Sequence, residues 1–160
     1  MNAYATGTAQ ERGVDKMENS STVVRILLVE DHEPFRDFLR TTLQARPEWQ
    51  VIGEISDGLQ AVQKAEELRP DLIMLDIGLP TLNGIEAAHR ISRLVPSATI
   101  LFVSQNSDSD VIGAALNNGA KGYVLKTDSS RELLPAVEAV LRGHRFASTG
   151  ITQSARVSLP

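Results

Sequence analysis

Four apolar runs in this chain end on groups that can handle a phosphoryl group and a hard cation. ILLVED ends in Glu30-Asp31, LIMLD in Asp76, ILFVS in Ser104 and YVLK in Lys126. Taken singly, each residue has an ordinary explanation. Acidic residues after strands cap the next helix, a lysine there is usually solvated, and a serine is usually a turn former. Taken together they form a set with one chemistry. Two carboxylates ~4 Å apart repel by about 4 kcal/mol at an effective dielectric near 20, so three on neighbouring strand ends point to a bound cation. All-oxygen donors favour a hard ion that keeps several waters and takes one or two carboxylates, which in a cell is Mg²⁺. A carboxylate such as Asp76 can also attack phosphorus, a transfer that depends mainly on positioning and charge neutralisation. Lys126 would hold one phosphoryl oxygen as a point charge. The Ser104 hydroxyl would donate to another, and the metal on Asp31 and Asp76 would take a third.

The elements that must position these groups alternate along the chain. Val23–Val29 is a near-continuous apolar run, and Phe35, Phe38, Leu39 and Leu43 follow at helical spacing with Pro34 in the first turn. Gln50–Ile55 is a weaker strand, followed by a helical pattern through Leu59, Val62, Ala65 and Leu68. Leu72–Leu75 is a strand, and a Gly- and Pro-containing loop from Gly78 to Gly84 leads into a helix with Ile85, Ala88, Ile91 and Val95. Ile100–Val103 and Tyr123–Leu125 are strands on either side of a short helix, which Asn118-Gly119 should end as a left-handed pair. Ser129 and Glu132 have capping-box spacing, Pro135 should bend or delay the last helix, and Gly143 should end it.

Five strands alternating with five helices predict a parallel sheet with helices on both faces. The first, third and fourth strands are the most apolar, so they should be central, with the second and fifth at the edges. Order 2-1-3-4-5 satisfies this and makes a flavodoxin-like, three-layer (βα)5 fold. It also puts the ligand crevice beyond the first and third strands, which end in Glu30-Asp31 and Asp76.

The chain has 160 residues, with 16 Lys+Arg against 20 Asp+Glu and no cysteine. The net charge of -4 disfavours a direct nucleic-acid binder. The lack of cysteine excludes thiolate metal sites and a Cys nucleophile. There is no signal-peptide core at the N-terminus and no run near the ~18 apolar residues of a membrane helix, so the chain is expected to be cytoplasmic. The expected layout is a disordered tail over 1–23, one domain over 24–146 and a loose tail over 147–160.

The segments ILLVEDHEPFR, DLIMLDIGLPTLNGIE, ILFVS and GAKGYVLK resemble the receiver domain of bacterial two-component response regulators. The likeness is nearest to receivers of LuxR/NarL-type transcription factors. It implies that Asp76 is the phosphoacceptor and that Glu30, Asp31, Asp76 and the Gly78 backbone carbonyl hold Mg²⁺. It further implies that Ser104 and Lys126 engage the phosphoryl group. Ser104 and Tyr123 would be the switch, with Tyr123 turning inward as Ser104 moves. The partners implied are a histidine kinase or phosphotransfer protein, and then a downstream protein or a second copy engaged through helix 4, strand 5 and helix 5. On this reading the chain is a signalling switch, and its only catalysis is of its own phosphorylation and dephosphorylation.

Some positions depart from common receivers. Gln105 follows the switch hydroxyl where a small residue is usual, and its length could crowd the path of Tyr123. Gly78 and Asn106 are uncharged, so no fast self-hydrolysis is expected. His32, beside the acidic pair, is better explained as a helix cap than as a metal ligand. An alternative function is an aspartyl-phosphate phosphohydrolase of the haloacid dehalogenase type. That class wants a second Asp two residues after the nucleophile, and here that residue is Gly78. A helix-turn-helix output needs several helices, and the 14 residues after 146 cannot supply them, so no DNA-binding output is expected in this chain as given.

Overall fold

The computed structural model describes residues 23–154; the expected disordered segment over 1–22 and the last residues of the expected C-terminal tail lie outside them. In chain order the elements are β1 (Val24–Val29), α1 (Glu33–Leu43), β2 (Trp49–Ile55), α2 (Gly58–Leu68), β3 (Leu72–Leu75), α3 (Gly84–Leu94), β4 (Thr99–Ser104), α4 (Ser109–Asn117) and β5 (Gly122–Leu125). A 3₁₀ turn over Lys126–Asp128 then leads into α5 (Ser129–Leu141), β6 (Phe146–Ala147) and α6 (Thr149–Ser154). All strands are parallel, in the order β2-β1-β3-β4-β5-β6.

Alternation along each strand splits the core into two layers. Leu27, Val29, Ile73, Leu75, Ile100 and Phe102 face the helices α2, α3 and α4 through Ala61, Ala65, Ala88, Ile91, Ile112 and Ala115. Ile26, Leu28, Leu72, Met74, Leu101 and Val103 face α1 and α5 through Leu39, Leu43, Leu133, Val137 and Val140. The four residues of β3 are all buried, as expected of a central parallel strand covered on both sides. β2 is mixed because it is an edge, and its pairing with β1 slips between Ile26 and Leu27. Burial of this kind, at roughly 25 cal/mol per Å² of apolar surface, is what holds the strand ends in place.

The sheet differs from the expectation at its far side. β5 is not an edge: Phe146 and Ala147 pair with Gly122 and Tyr123 as a sixth strand. The chain past Ala147 is not loose, since Ser148 is fully buried, Ile151 is 1% exposed and α6 follows. Two buried side chains and a strand pairing dock this segment, and its composition alone gave no sign of them.

The start of α5 also corrects the expected capping box. The 3₁₀ turn already supplies the first turn, so Asp128 occupies the cap position. The Ser129 hydroxyl donates to the Lys126 carbonyl at 2.7 Å, and the Glu132 carboxylate accepts from Thr149. Gly119 and Gly143 both take positive φ after their helices, whereas Asn118 does not. Pro135 lies inside α5 without ending it.

Candidate functional site

The strand ends converge as their apolar runs require. β1 and β3 stop where Glu30 and Asp76 begin, because a charged side chain cannot continue a doubly covered strand. Glu30, Asp31, Asp76, Gly78, Ser104 and Lys126 all line one open pocket of about 500 Å³, joined by His32, Phe35, Gln105 and Asn106. Glu30 is 1% exposed, Asp76 is buried and Asp31 is exposed. One oxygen from each of these three lies within 4.8 Å of the others.

Lys126 ties the set together. Its Nζ donates to Asp76 Oδ2 at 3.1 Å and sits 2.8 Å from Glu30 Oε1. It also lies 4.6 Å from the Phe35 ring centroid, which screens it on an apolar side. Burial works against the charge on Lys126, but its two carboxylate neighbours outweigh this and hold its pKa above the usual lysine value. Burial pushes the Glu30 carboxyl upward, opposed by Lys126 and by the His32 N–H that donates to its Oε2 at 3.0 Å. The remaining Asp76 oxygen, Oδ1, accepts from the Ile77 N–H at 2.7 Å.

The site has the chemistry of a divalent cation cradle. Its donors are all carboxylate oxygens, and the buried Glu30 Oε1 is met by Lys126 Nζ at 2.8 Å, off the best hydrogen-bond angle. A hard cation would satisfy that oxygen and relieve the repulsion among the three acids. His32 is the cap of α1, its Nδ1 accepting from the Phe35 N–H at 3.4 Å.

Ser104 closes the far wall of the pocket, and its hydroxyl accepts from the Asn106 N–H at 3.2 Å. Tyr123 does not line the pocket. It lies fully buried behind it, its ring 6.0 Å from that of Phe102 and its hydroxyl donating to the Asn106 carbonyl at 2.7 Å. Burial pushes its pKa up to about 12. The resemblance implies an aromatic that travels inward; here it already occupies the inner position, with a satisfied hydroxyl. Gln105 is exposed at the pocket rim.

Sequence reasoning missed three contributors. Phe35 read only as part of a core stripe, and nothing signalled its contact with Lys126. The Asn106 carbonyl is a backbone group that no residue-type search can find. Thr81, in the loop after Asp76, has φ 73° and hydrogen bonds to Asp57. Its type argues against that conformation, so no motif would single it out.

Comparison with known proteins agrees with this geometry. A family model for the response regulator receiver domain matches residues 26–138. The chain belongs to the response regulator receiver family. The transcriptional regulatory protein LiaR of Bacillus subtilis is 37% identical over 121 residues, covering 76% of this chain and 57% of that protein. The nitrate/nitrite response regulator protein NarL of Escherichia coli K12 is 34% identical over 135 residues, covering 84% of this chain and 62% of that protein. The crystal structure of a LuxR-family two-component response regulator from Aurantimonas sp. SI85-9A1 superposes with a TM-score of 0.80 at 35% identity, covering 84% of this chain and 96% of that one. This receiver is therefore of the LuxR/NarL type, and it spans somewhat over half the length of the curated relatives it matches. Among the described residues no helix is long and apolar enough to cross a membrane.

Proposed function

We propose that this receiver is a phosphorylation-dependent switch that accepts a phosphoryl group on Asp76 from a histidine kinase or phosphotransfer protein. The observation that carries this reading is Lys126 bridging Glu30 and Asp76 at the pocket mouth. Glu30, Asp31, Asp76 and the Gly78 carbonyl would hold Mg²⁺, with Asp31 the direct acidic partner and Glu30 acting through water. When bound, Mg²⁺ supplies neutralisation of charge on the phosphoryl oxygens.

In the transfer, an Asp76 oxygen attacks phosphorus as the donor's P–N bond breaks. The bond's electron pair stays on the departing ring nitrogen, and a proton on the other ring nitrogen lets the donor histidine leave as neutral imidazole. Lys126 exchanges its contact with Asp76 for one to a phosphoryl oxygen, keeping its charge paired throughout. The Ser104 hydroxyl, which accepts from the Asn106 N–H and also lies against the Tyr123 hydroxyl, would turn to a second phosphoryl oxygen. That shift would pull on Asn106, whose carbonyl holds the Tyr123 hydroxyl. The change would thereby reach the surface of α4, β5 and α5, where a downstream protein or a second copy would read it. The cytoplasm is the expected setting, and the -4 net charge argues against nucleic-acid binding by this segment itself.

The test is intact-mass labelling with acetyl phosphate and Mg²⁺. Wild type should gain one phosphoryl group and Asp76→Asn should gain none. Labelling that persists in Asp76→Asn would refute the acceptor assignment. Turnover of phosphomonoesters that requires Asp76 would instead favour a phosphohydrolase.

A further inference from the structure

The loop that follows Asp76 is fastened to a helix that plays no part in the pocket. Asp57, the cap of α2, uses one oxygen for the Gln60 N–H at 2.9 Å. Its other oxygen, Oδ2, accepts from the Thr81 hydroxyl. Thr81 has φ 73°, a left-handed conformation that a β-branched residue rarely takes and keeps only where its surroundings impose it. The neighbouring residue completes the fastening. The Gly58 N–H donates to the Pro80 carbonyl at 3.1 Å, and a Cβ on Gly58 would fall 1.7 Å from the Leu82 carbonyl oxygen. The Thr81 hydrogen bond, followed by the one from the Gln60 N–H, holds the Asp57 carboxyl below its usual pKa, so the acceptor carries full charge at neutral pH.

The other side of the loop is equally committed. The Leu79 and Gly84 N–H groups both donate to the Ile77 carbonyl, at 2.9 and 2.8 Å, and a Cβ on Gly84 would fall 1.9 Å from the Asp76 carbonyl oxygen. Gly78 lies between these anchors, on the pocket wall, with nothing within 4 Å of where its Cβ would be. It has no side-chain contact of its own to fix it. Its position therefore depends on the anchors to either side.

The geometry points to Asp57 and Thr81 as a pair of positioning residues: their hydrogen bond sets the Ile77–Asn83 loop in the conformation that presents Gly78 to the Mg²⁺ site. This rests on the reading of the pocket as a metal-dependent acceptor. The tie is made once on folding, and the loop need not be ordered again when the cation arrives.

The test uses the full chain, with magnesium chloride alone as the titrant in calorimetry and amide hydrogen exchange of the metal-free protein as a second readout. Thr81→Ala removes the hydroxyl. Asp57→Ser keeps a helix cap but lacks the second oxygen. Each should weaken Mg²⁺ binding about tenfold, the lower end for a residue that orients a metal ligand. Each should also speed exchange at Leu79 and Leu82 while the outer sheet is unchanged. Thr81→Ser should restore both. Unchanged Mg²⁺ affinity in Thr81→Ala and Asp57→Ser, with only a lower thermal midpoint, would overturn the assignment and leave the pair a fold contact. Thr81→Ser as weak as Thr81→Ala would overturn the hydroxyl as the cause. Wild type that takes up no Mg²⁺ would overturn the functional reading itself, an outcome visible before any variant is made.

Discussion

The acidic pocket and the β5–β6 edge of the sheet are built on opposite terms. In the pocket, Glu30, Asp31 and Asp76 crowd together with one lysine to balance them, and a buried carboxylate oxygen lacks an aligned donor. At the edge, Tyr123 and Ser148 have their polar groups paired, although Glu132 Oε1 and Asp128 Oδ2 behind them are buried without a hydrogen-bond partner. The Tyr123 hydroxyl donates to Asn106, and the Ser148 N–H donates to the Tyr123 carbonyl at 3.0 Å. The Leu125 N–H donates to Ser148 Oγ at 2.8 Å, and Ile151 closes the apolar layer. The pocket sets three acids against one lysine, whereas the edge is held mainly by formed hydrogen bonds and apolar contact. A local charge event should therefore change the pocket cheaply, while moving the edge means breaking formed contacts. This division suits the proposed switch, in which a charge change in the pocket would supply the bias.

The largest expected effect tests the charge half of that contrast. Lys126→Met should leave Glu30 and Asp76 facing each other without a cation and cost about 3 kcal/mol in urea unfolding, the low end for breaking a buried pair because water reaches the pocket. Added Mg²⁺ should return much of this loss. A loss below about 1 kcal/mol would mean that charge does not dominate the pocket, and the contrast would fail.

The pocket was legible in the sequence and the edge was not, for physical reasons. An apolar run that ends on Asp76 or Glu30 carries both a strand and its exit into one short string, so the converging acids could be placed before any coordinates. The two residues of β6 are too few for a period to show. Phe146 and Ala147 become a strand only because Gly122 and Tyr123 offer them a free edge. Ser129 and Glu132 have the spacing of a capping box, but the 3₁₀ turn at Lys126 displaced it, a tertiary choice overriding a local signal. Thr81 is the strongest case. Its positive φ lies in a tight turn closed by the Leu82 N–H on the Pro80 carbonyl at 2.8 Å, and its hydroxyl is tied to Asp57, 24 residues away.

A smaller effect tests the edge. Ile151→Ala removes most of a buried side chain and should cost about 2 kcal/mol, the lower end for such a truncation because α6 can settle inward. Hydrogen exchange at Leu125 should quicken, since its amide relies on Ser148 beside the loosened helix. Mg²⁺ affinity should stay at the wild-type value. A Mg²⁺ affinity that falls with Ile151→Ala would mean that the two regions are already coupled at rest, sharpening the picture into one continuous network.

The smallest effect separates the regions by their response to acid. Glu132 fixes the start of α6: its Oε2 accepts from the Thr149 N–H at 3.2 Å and hydroxyl at 2.8 Å. Burial pushes its carboxyl upward, but the hydrogen bonds from Ser148 and Thr149 outweigh this, and the net shift is below the usual glutamate value. A carboxyl with a lowered pKa in the fold adds stability that is present above its unfolded pKa and lost as pH falls through the folded one. Glu30 is shifted the other way, so acid relieves the pocket while it loosens the edge. Between about pH 6 and pH 3.5, wild type should therefore lose the stability advantage it holds over Glu132→Gln, whose neutral amide cannot follow the titration. Thermal midpoints of the two proteins across that range measure the difference. A gap between them that stays constant with pH would show that Glu132 does not hold the edge through its charge.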